Sequence, residues 1–180
     1  MILYSGNMGV KQNISVILES ARYLHDIKEN NIMFYIVGDG AEKKQIEKLK
    51  NTWNLENVFI LPLVPKSELV DMLQSADIVL ITQKEEVVDI LFPSKLLTIL
   101  AAGCAVVASG NPASELNRVV RESKCGVTVN ANDYEAISQK IIELKNSPDL
   151  LNKYRLNARI YARTHFDRQI IMPKMYELLK

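Results

Sequence analysis

Short apolar runs alternate along this chain with longer segments whose apolar residues recur every three or four positions. Met1–Ser5, Ile32–Val37, Val58–Leu61, Ile78–Ile81, Ala105–Ala108 and Cys125–Val129 are runs of four to six residues, the length and character of buried strands. Between them, Ile14, Ile17, Leu18, Ala21 and Leu24 fall at helical spacing, as do Ile46, Leu49 and Trp53, then Leu69, Met72 and Leu73. Helix starts are expected at Asn13 and Ser67, which can cap free backbone N–H groups, and a helix is expected from Ser114 to Val120. Asp133 is expected to cap a helix with Ile137, Ile141 and Leu144 inward, and Ser147-Pro148 to open another. Asp167 can cap a last helix to Leu179, which tolerates Pro173 only near its start or as a kink.

Strand and helix thus alternate about six times. This predicts an α/β fold, a three-layer sandwich of about six parallel strands with helices on both faces. Such sheets bind ligands beyond the carboxyl ends of their strands. The loops at those ends are 6–12, 38–40, 61–67, 82–95 and 109–114.

One stretch departs from plain core patterning. Thr82–Asp89 is too charged for a core strand, and it leads to Phe92-Pro93-Ser94-Lys95-Leu96. Pro93 and Ser94 suit a helix start, with Ser94 as its cap, and Gly103 stops the helix. Apolar residues at 96, 97, 99 and 100 leave almost no polar face, so the helix should be largely buried. Its N-terminus, with Ser94 and Lys95 beside it, suits an anion, and it equally suits one more core helix.

Composition narrows the classes. With 180 residues, 48% hydrophobic and 24% charged, the chain suits one domain over 1–180. A net charge of +1 gives no global attraction to nucleic acid or membrane. Cys104 and Cys125, both in apolar contexts, read as reduced buried thiols of a cytoplasmic protein. No apolar run approaches the ~20 residues of a membrane span. The chain opens directly on an apolar strand, the expected look of a fragment of something longer.

Four motifs now fall in order: Tyr4-Ser5-Gly6-Asn7-Met8-Gly9-Val10-Lys11-Gln12, Ile36-Val37-Gly38-Asp39-Gly40, Pro93-Ser94-Lys95-Leu96 through Gly103, and Ser114-Glu115-Leu116 to Gly126-Val127. Together they resemble the C-terminal, donor-binding domain of retaining GT-B glycosyltransferases of the family 4 type, from Tyr4 to about Tyr176. The likeness is greatest to the subgroup acting on cell-envelope or capsular polysaccharides, with its Gly-Asn-Met-Gly loop and Pro-Ser-Lys-Leu helix start.

The resemblance implies a site. Lys11, otherwise an ordinary solvated lysine, would reach the donor diphosphate and offset charge on the leaving nucleoside diphosphate, the catalytic role here. Gly6, Asn7 and Gly38 would belong to the donor site, Leu63 would hold the base through backbone contacts, Ser94, Lys95 and Leu96 would present backbone N–H groups to a phosphate, and Phe92 and Pro93 before them would also bind the donor. Asn7 stands where relatives often carry Arg, and an Asn supplies neither full charge nor a bidentate fork. That shifts weight to Lys11 and Lys95. Many relatives carry Glu at the positions of Thr98 and Ile90; here the pair is absent, and Asp89 is the nearest substitute. Thr98 can still make one hydrogen bond to a ribose hydroxyl. His25 and His165 lie on separate helices, Trp53 on a core face.

The expectation is therefore the donor half of a glycosyltransferase that moves a sugar from a nucleoside-diphosphate sugar to a hydroxyl acceptor, retaining and metal-independent, with no cofactor. Its partners would be the nucleotide sugar and an N-terminal acceptor domain of the same parent chain, not nucleic acid, and the isolated domain would be inactive. The location expected is cytoplasmic, at the inner face of the membrane. Residues 149–180 would cross toward the missing domain, with Ile170, Ile171, Met175, Tyr176 and Leu179 left exposed or buried against a second copy in a homodimer. A non-catalytic nucleotide-binding or interaction module and a sugar-nucleotide epimerase are the alternatives.

Overall fold

A computed structural model describes residues 1–88 and 94–178. Six parallel strands form one sheet: β1 (Ile2–Asn7), β2 (Phe34–Asp39), β3 (Val58–Leu61), β4 (Ile78–Thr82), β5 (Val106–Ser109) and β6 (Gly126–Val129). Their order is β3-β2-β1-β4-β5-β6, so the direction of winding reverses between β1 and β4. The expected fold is borne out. Eight helices are described: α1 (Ser15–Asp26), α2 (Lys43–Thr52), α3 (Leu69–Ser75), α4 (Ser94–Ala102), α5 (Glu115–Ser123), α6 (Tyr134–Lys145), α7 (Pro148–Phe166) and α8 (Arg168–Leu178).

Alternate residues of each strand feed two cores, as the two-residue period requires. Ile2, Tyr4, Ile78, Leu80 and Val107 join α1, α2 and α6 on one face. Leu3, Val79, Ile81, Val106 and Ala108 join α3, α4, α5 and the later part of α7 on the other. α7 serves both, because Leu150, Leu151 and Tyr154 pack on the first core while Ala158 and Ala162 belong to the second. Cys104 and Cys125 are buried free thiols.

Three helix starts differ from the sequence expectation. Asn13 takes a left-handed backbone (φ 49°) and gives its side-chain amide to Asn132 Oδ1, so α1 begins later and without a side-chain cap. Ser67 lies in the turn before α3 and makes no cap bond; Glu68 holds the cap position. Ser94 is itself helical in α4 rather than its cap. Ser114 and Asp133 do cap, accepting from the backbone N–H groups of Asn117 and Ala136. Gly103 ends α4 in the left-handed conformation (φ 74°), as glycine readily does. Trp53 is only half-buried, with the Arg22 guanidinium 5.3 Å from its ring centroid.

Within α8, Ile170 and Ile171 are half-buried and Tyr176 is 62% exposed. The side chains of Met175 and Leu179 lie outside the described residues. No helix among the described residues is long and apolar enough to cross a membrane.

Candidate functional site

At the reversal of strand order the sheet opens. β1 pairs with β2 over six residues but with β4 over two, Ile2 with Ile78 and Leu3 with Val79. From Tyr4 onward β1 has lost its neighbour on that side, which leaves a crevice at the carboxyl end of the sheet. A cleft of about 340 Å³ lies there, between β1, the segment before α3, and the first turns of α4. Gly6, Leu63, Ser94, Lys95 and Thr98, five of the expected site residues, line it together with Ser5, Val64, Lys66, Leu69, Leu73 and Ile99. Among these described lining residues are two lysines and no carboxylate, so the wall is electropositive.

The loop after β1 is pinned from both sides. Met8 N–H donates to the Asp39 carbonyl at 2.7 Å and its own carbonyl accepts from Glu42 N–H at 2.9 Å. On the other side the Thr82 hydroxyl donates to the Gln12 carbonyl at 2.5 Å, and Lys84 N–H donates to the Lys11 carbonyl at 3.0 Å. Val10–Gln12 close the loop as one 3-10 helical turn. The first two sequence motifs thus meet as one structural unit.

The expected site residues separate into groups. Lys11 is exposed on that turn and is not among the described residues that line the cleft. Asn7 is exposed at the end of β1, in register with Asp39. Gly38 is buried opposite Gly6, where a Cβ would overlap the Gly6 carbonyl, so its smallness lets β1 and β2 run close together. Leu96 is fully buried and packs in the core. Phe92 and Pro93, with Asp89 and Ile90, lie outside the described residues.

Lys95 is the residue whose placement changes most. The sequence leaves it open as a surface charge; in the structure it is largely buried. Its Nζ donates to the Tyr4 hydroxyl at 3.1 Å and lies 4.7 Å from the Tyr4 ring centroid. Burial pulls its pKa from 10.5 down to about 8. Gly6 makes room, because a Cβ there would sit 2.8 Å from Lys95 Cε. Tyr4 and Lys66 were not singled out from sequence. Tyr4 reads there only as the strand residue that opens the first motif, and Lys66 only as one residue of the 61–67 loop.

No three His, Cys, Asp or Glu side chains come together in a metal-binding group among the described residues. The arrangement suits an anion: glycine backbone at a strand end, a helix start, and ammonium groups in a cleft with apolar walls.

Comparison with known proteins bears on the family and the fold. WcaI of Escherichia coli K12, whose name describes a colanic acid biosynthesis glycosyl transferase, is 32% identical over 172 residues, 96% of this chain. The chain spans 41% of WcaI's length. The Anabaena protein Alr3699/HepE, solved in complex with UDP, superposes with a TM-score of 0.84 at 16% identity, covering 99% of this chain and 48% of that one. The C-terminal domain of the glycosyl transferase group 1 protein LpcC from Francisella tularensis gives 0.76 at 17% identity, over 93% of this chain and 86% of that one. These superpositions match the fold of a GT-B C-terminal domain. The profile of the family described as glycosyl transferases group 1 matches residues 1–161, and with the 32% identity to WcaI it shows that the chain belongs to that family.

Proposed function

We propose that this chain binds the nucleoside-diphosphate sugar of a retaining, metal-independent glycosyltransferase whose acceptor is a hydroxyl group. The observation that carries the reading is the electropositive crevice between β1 and β4, lined by Gly6, Ser94, Lys95 and Thr98, in a chain of this family. The diphosphate would lie against Gly6 and the first turn of α4, where free N–H groups and Lys95 offset its charge. Lys11 would close over the leaving diphosphate, and Thr98 would meet the ribose. Leu63, 59% exposed at the cleft rim, would hold the base. Fixed cations at the leaving group lower the barrier because charge accumulates there in the transition state. Polysaccharide biosynthesis is the setting that similarity to WcaI supports; the cytoplasm, at the inner membrane face, is the place proposed for it.

An acceptor domain elsewhere in the parent protein completes the proposal; the chain's 41% share of WcaI's length supports it. Calorimetric titration of the intact protein with UDP, GDP and dTDP tests the donor site. Saturable binding of one of them is expected, and no binding at millimolar ligand would sink the reading in favour of a non-catalytic module. Product analysis by NMR, with and without chelator, tests the chemistry. Retained anomeric configuration and unchanged turnover in chelator are expected. Conversion of the donor sugar without acceptor would point instead to an epimerase.

A further inference from the structure

Tyr4 is 2% exposed, yet its hydroxyl serves two elements at once. It donates to the Asn7 carbonyl at 2.6 Å, bracing the end of β1, and accepts from Lys95 Nζ of α4. Burial, and secondarily the Glu42 carboxylate, push its pKa up, so the hydroxyl keeps its proton and both bonds. The path between the partners is unusual. Tyr4 belongs to the core on the α1 side, whereas α4 packs on the opposite face. Lys95 therefore crosses the sheet's carboxyl edge through the gap that β4 leaves beside β1, over Gly6.

Phenylalanine would fill the same core without a hydroxyl to satisfy. A buried ammonium is costly unless paired, and among the described residues no carboxylate pairs with Lys95. Among the described residues, Glu42 acts on its partner Tyr4, and Lys66 lines the same cleft. α7 brings Arg155 and Arg159 only to the far end of α4, near Gly103 and Cys104. With the Tyr4 hydroxyl as its hydrogen-bond partner, the Lys95 ammonium lines a cleft able to take an anion.

We propose that Tyr4 is a positioning residue: its hydroxyl holds the Lys95 ammonium in the gap between β1 and β4, aimed at the donor phosphates. The link to the donor rests on the function proposed above; the hold of Tyr4 on Lys95 does not. Phosphate arriving in the cleft supplies the counter-charge and raises the affinity of Lys95 for its proton. Donor binding therefore weakens as pH rises past the Lys95 midpoint, by up to about tenfold per unit.

Two measurements on the intact protein test this. The first, 13C NMR titration of lysine side chains without ligand, uses Lys95→Met to assign the signal. A Lys95 midpoint near 8 is expected in the native protein. In Tyr4→Phe it should fall by about half a unit or more, the size of one lost hydrogen bond of ordinary strength. An ordinary lysine midpoint, or one that Tyr4→Phe leaves in place, would overturn the proposal whatever binds in the cleft. The second is UDP and pyrophosphate affinity in a double-mutant cycle of Tyr4→Phe and Lys95→Met. Tyr4→Phe should weaken binding about three- to tenfold at neutral pH in the native background, about one lost hydrogen bond of ordinary strength, and have no effect in Lys95→Met. An equal effect in both backgrounds would mean that Tyr4 acts only on the fold, against the proposal. If neither ligand binds the native protein while the NMR result holds, the donor reading fails and the hold of Tyr4 on Lys95 stands.

Discussion

Lys95 sets stability against binding within a single side chain. Its pKa is about 8 in the folded chain against 10.5 for an ordinary lysine. Between those values the unfolded chain holds a proton that the folded chain has released, so this group makes stability rise with pH across that window. Below pH 8 the full cost of burying the charge is present. Lys95→Met should therefore unfold at higher temperature than the native protein at pH 7, and the advantage should shrink as the melting scans move from pH 8 to pH 10.5. A lower melting temperature at pH 7 would contradict the cost assigned to burial. Gly6 is the second test at this scale. Its φ of +135° is one that a side chain rarely adopts, and a Cβ would crowd Lys95. Gly6→Ala should cost about 1–3 kcal/mol of backbone strain in denaturant titrations and weaken UDP binding as well. Cys104 and Cys125 are pushed up to about 11 by burial, Cys104 also donating to the Leu73 carbonyl at 3.2 Å. Both should resist alkylation at pH 8 until the protein is unfolded.

At the scale of the element, capping separates residues that look alike in sequence. Ser114 and Ser67 both precede helical patterns, and only Ser114 accepts a backbone N–H, from Asn117 at 3.3 Å. Ser114→Ala should cost about 1 kcal/mol, whereas Ser67→Ala should stay within about 0.5 kcal/mol. Equal losses in urea titrations would mean that the capping assignment is wrong. α4 is expected to be the least tolerant helix near the cleft, because Leu96 and Leu100 are both fully buried. Leu100→Ala should cost about 2–5 kcal/mol. The helix must stay rigid because one turn of it presents Ser94, Lys95 and Thr98 together.

For the whole molecule, α7 is the element that ties the layers. It packs on both cores, whereas α8 has no fully buried residue among those described. Removing residues from Arg168 onward should leave the cooperative unfolding of the domain largely intact. Removing those from Pro148 onward would strip Leu151 and Tyr154 from one core and Ala158 and Ala162 from the other, and the cooperative transition should be lost. Circular dichroism melts of the two truncations would distinguish them. The outward Tyr176 and half-buried Ile170 and Ile171 suit an interdomain or intermolecular contact, and analytical ultracentrifugation would show which.

The strands were legible because burial on both faces forces continuous apolar runs, and their alternation with helical periods forces a parallel sheet. The glycine loop and the start of α4 were legible because close approach of backbone to a ligand leaves few residue choices. Helix starts were less so: Asn13 and Ser67 have the chemistry of caps, but a side chain bonds whatever partner the fold brings near, and for Asn13 that is Asn132, far along the chain. The same limit hid Tyr4 and Lys95 from each other. The sequence alone determined that a lysine follows the serine opening α4 and that a tyrosine lies in β1. Only the tertiary structure decided that β1 and β4 part after Leu3, and that the lysine enters the gap and finds the tyrosine's hydroxyl. Strand order is a property of non-local pairing, which no local pattern encodes.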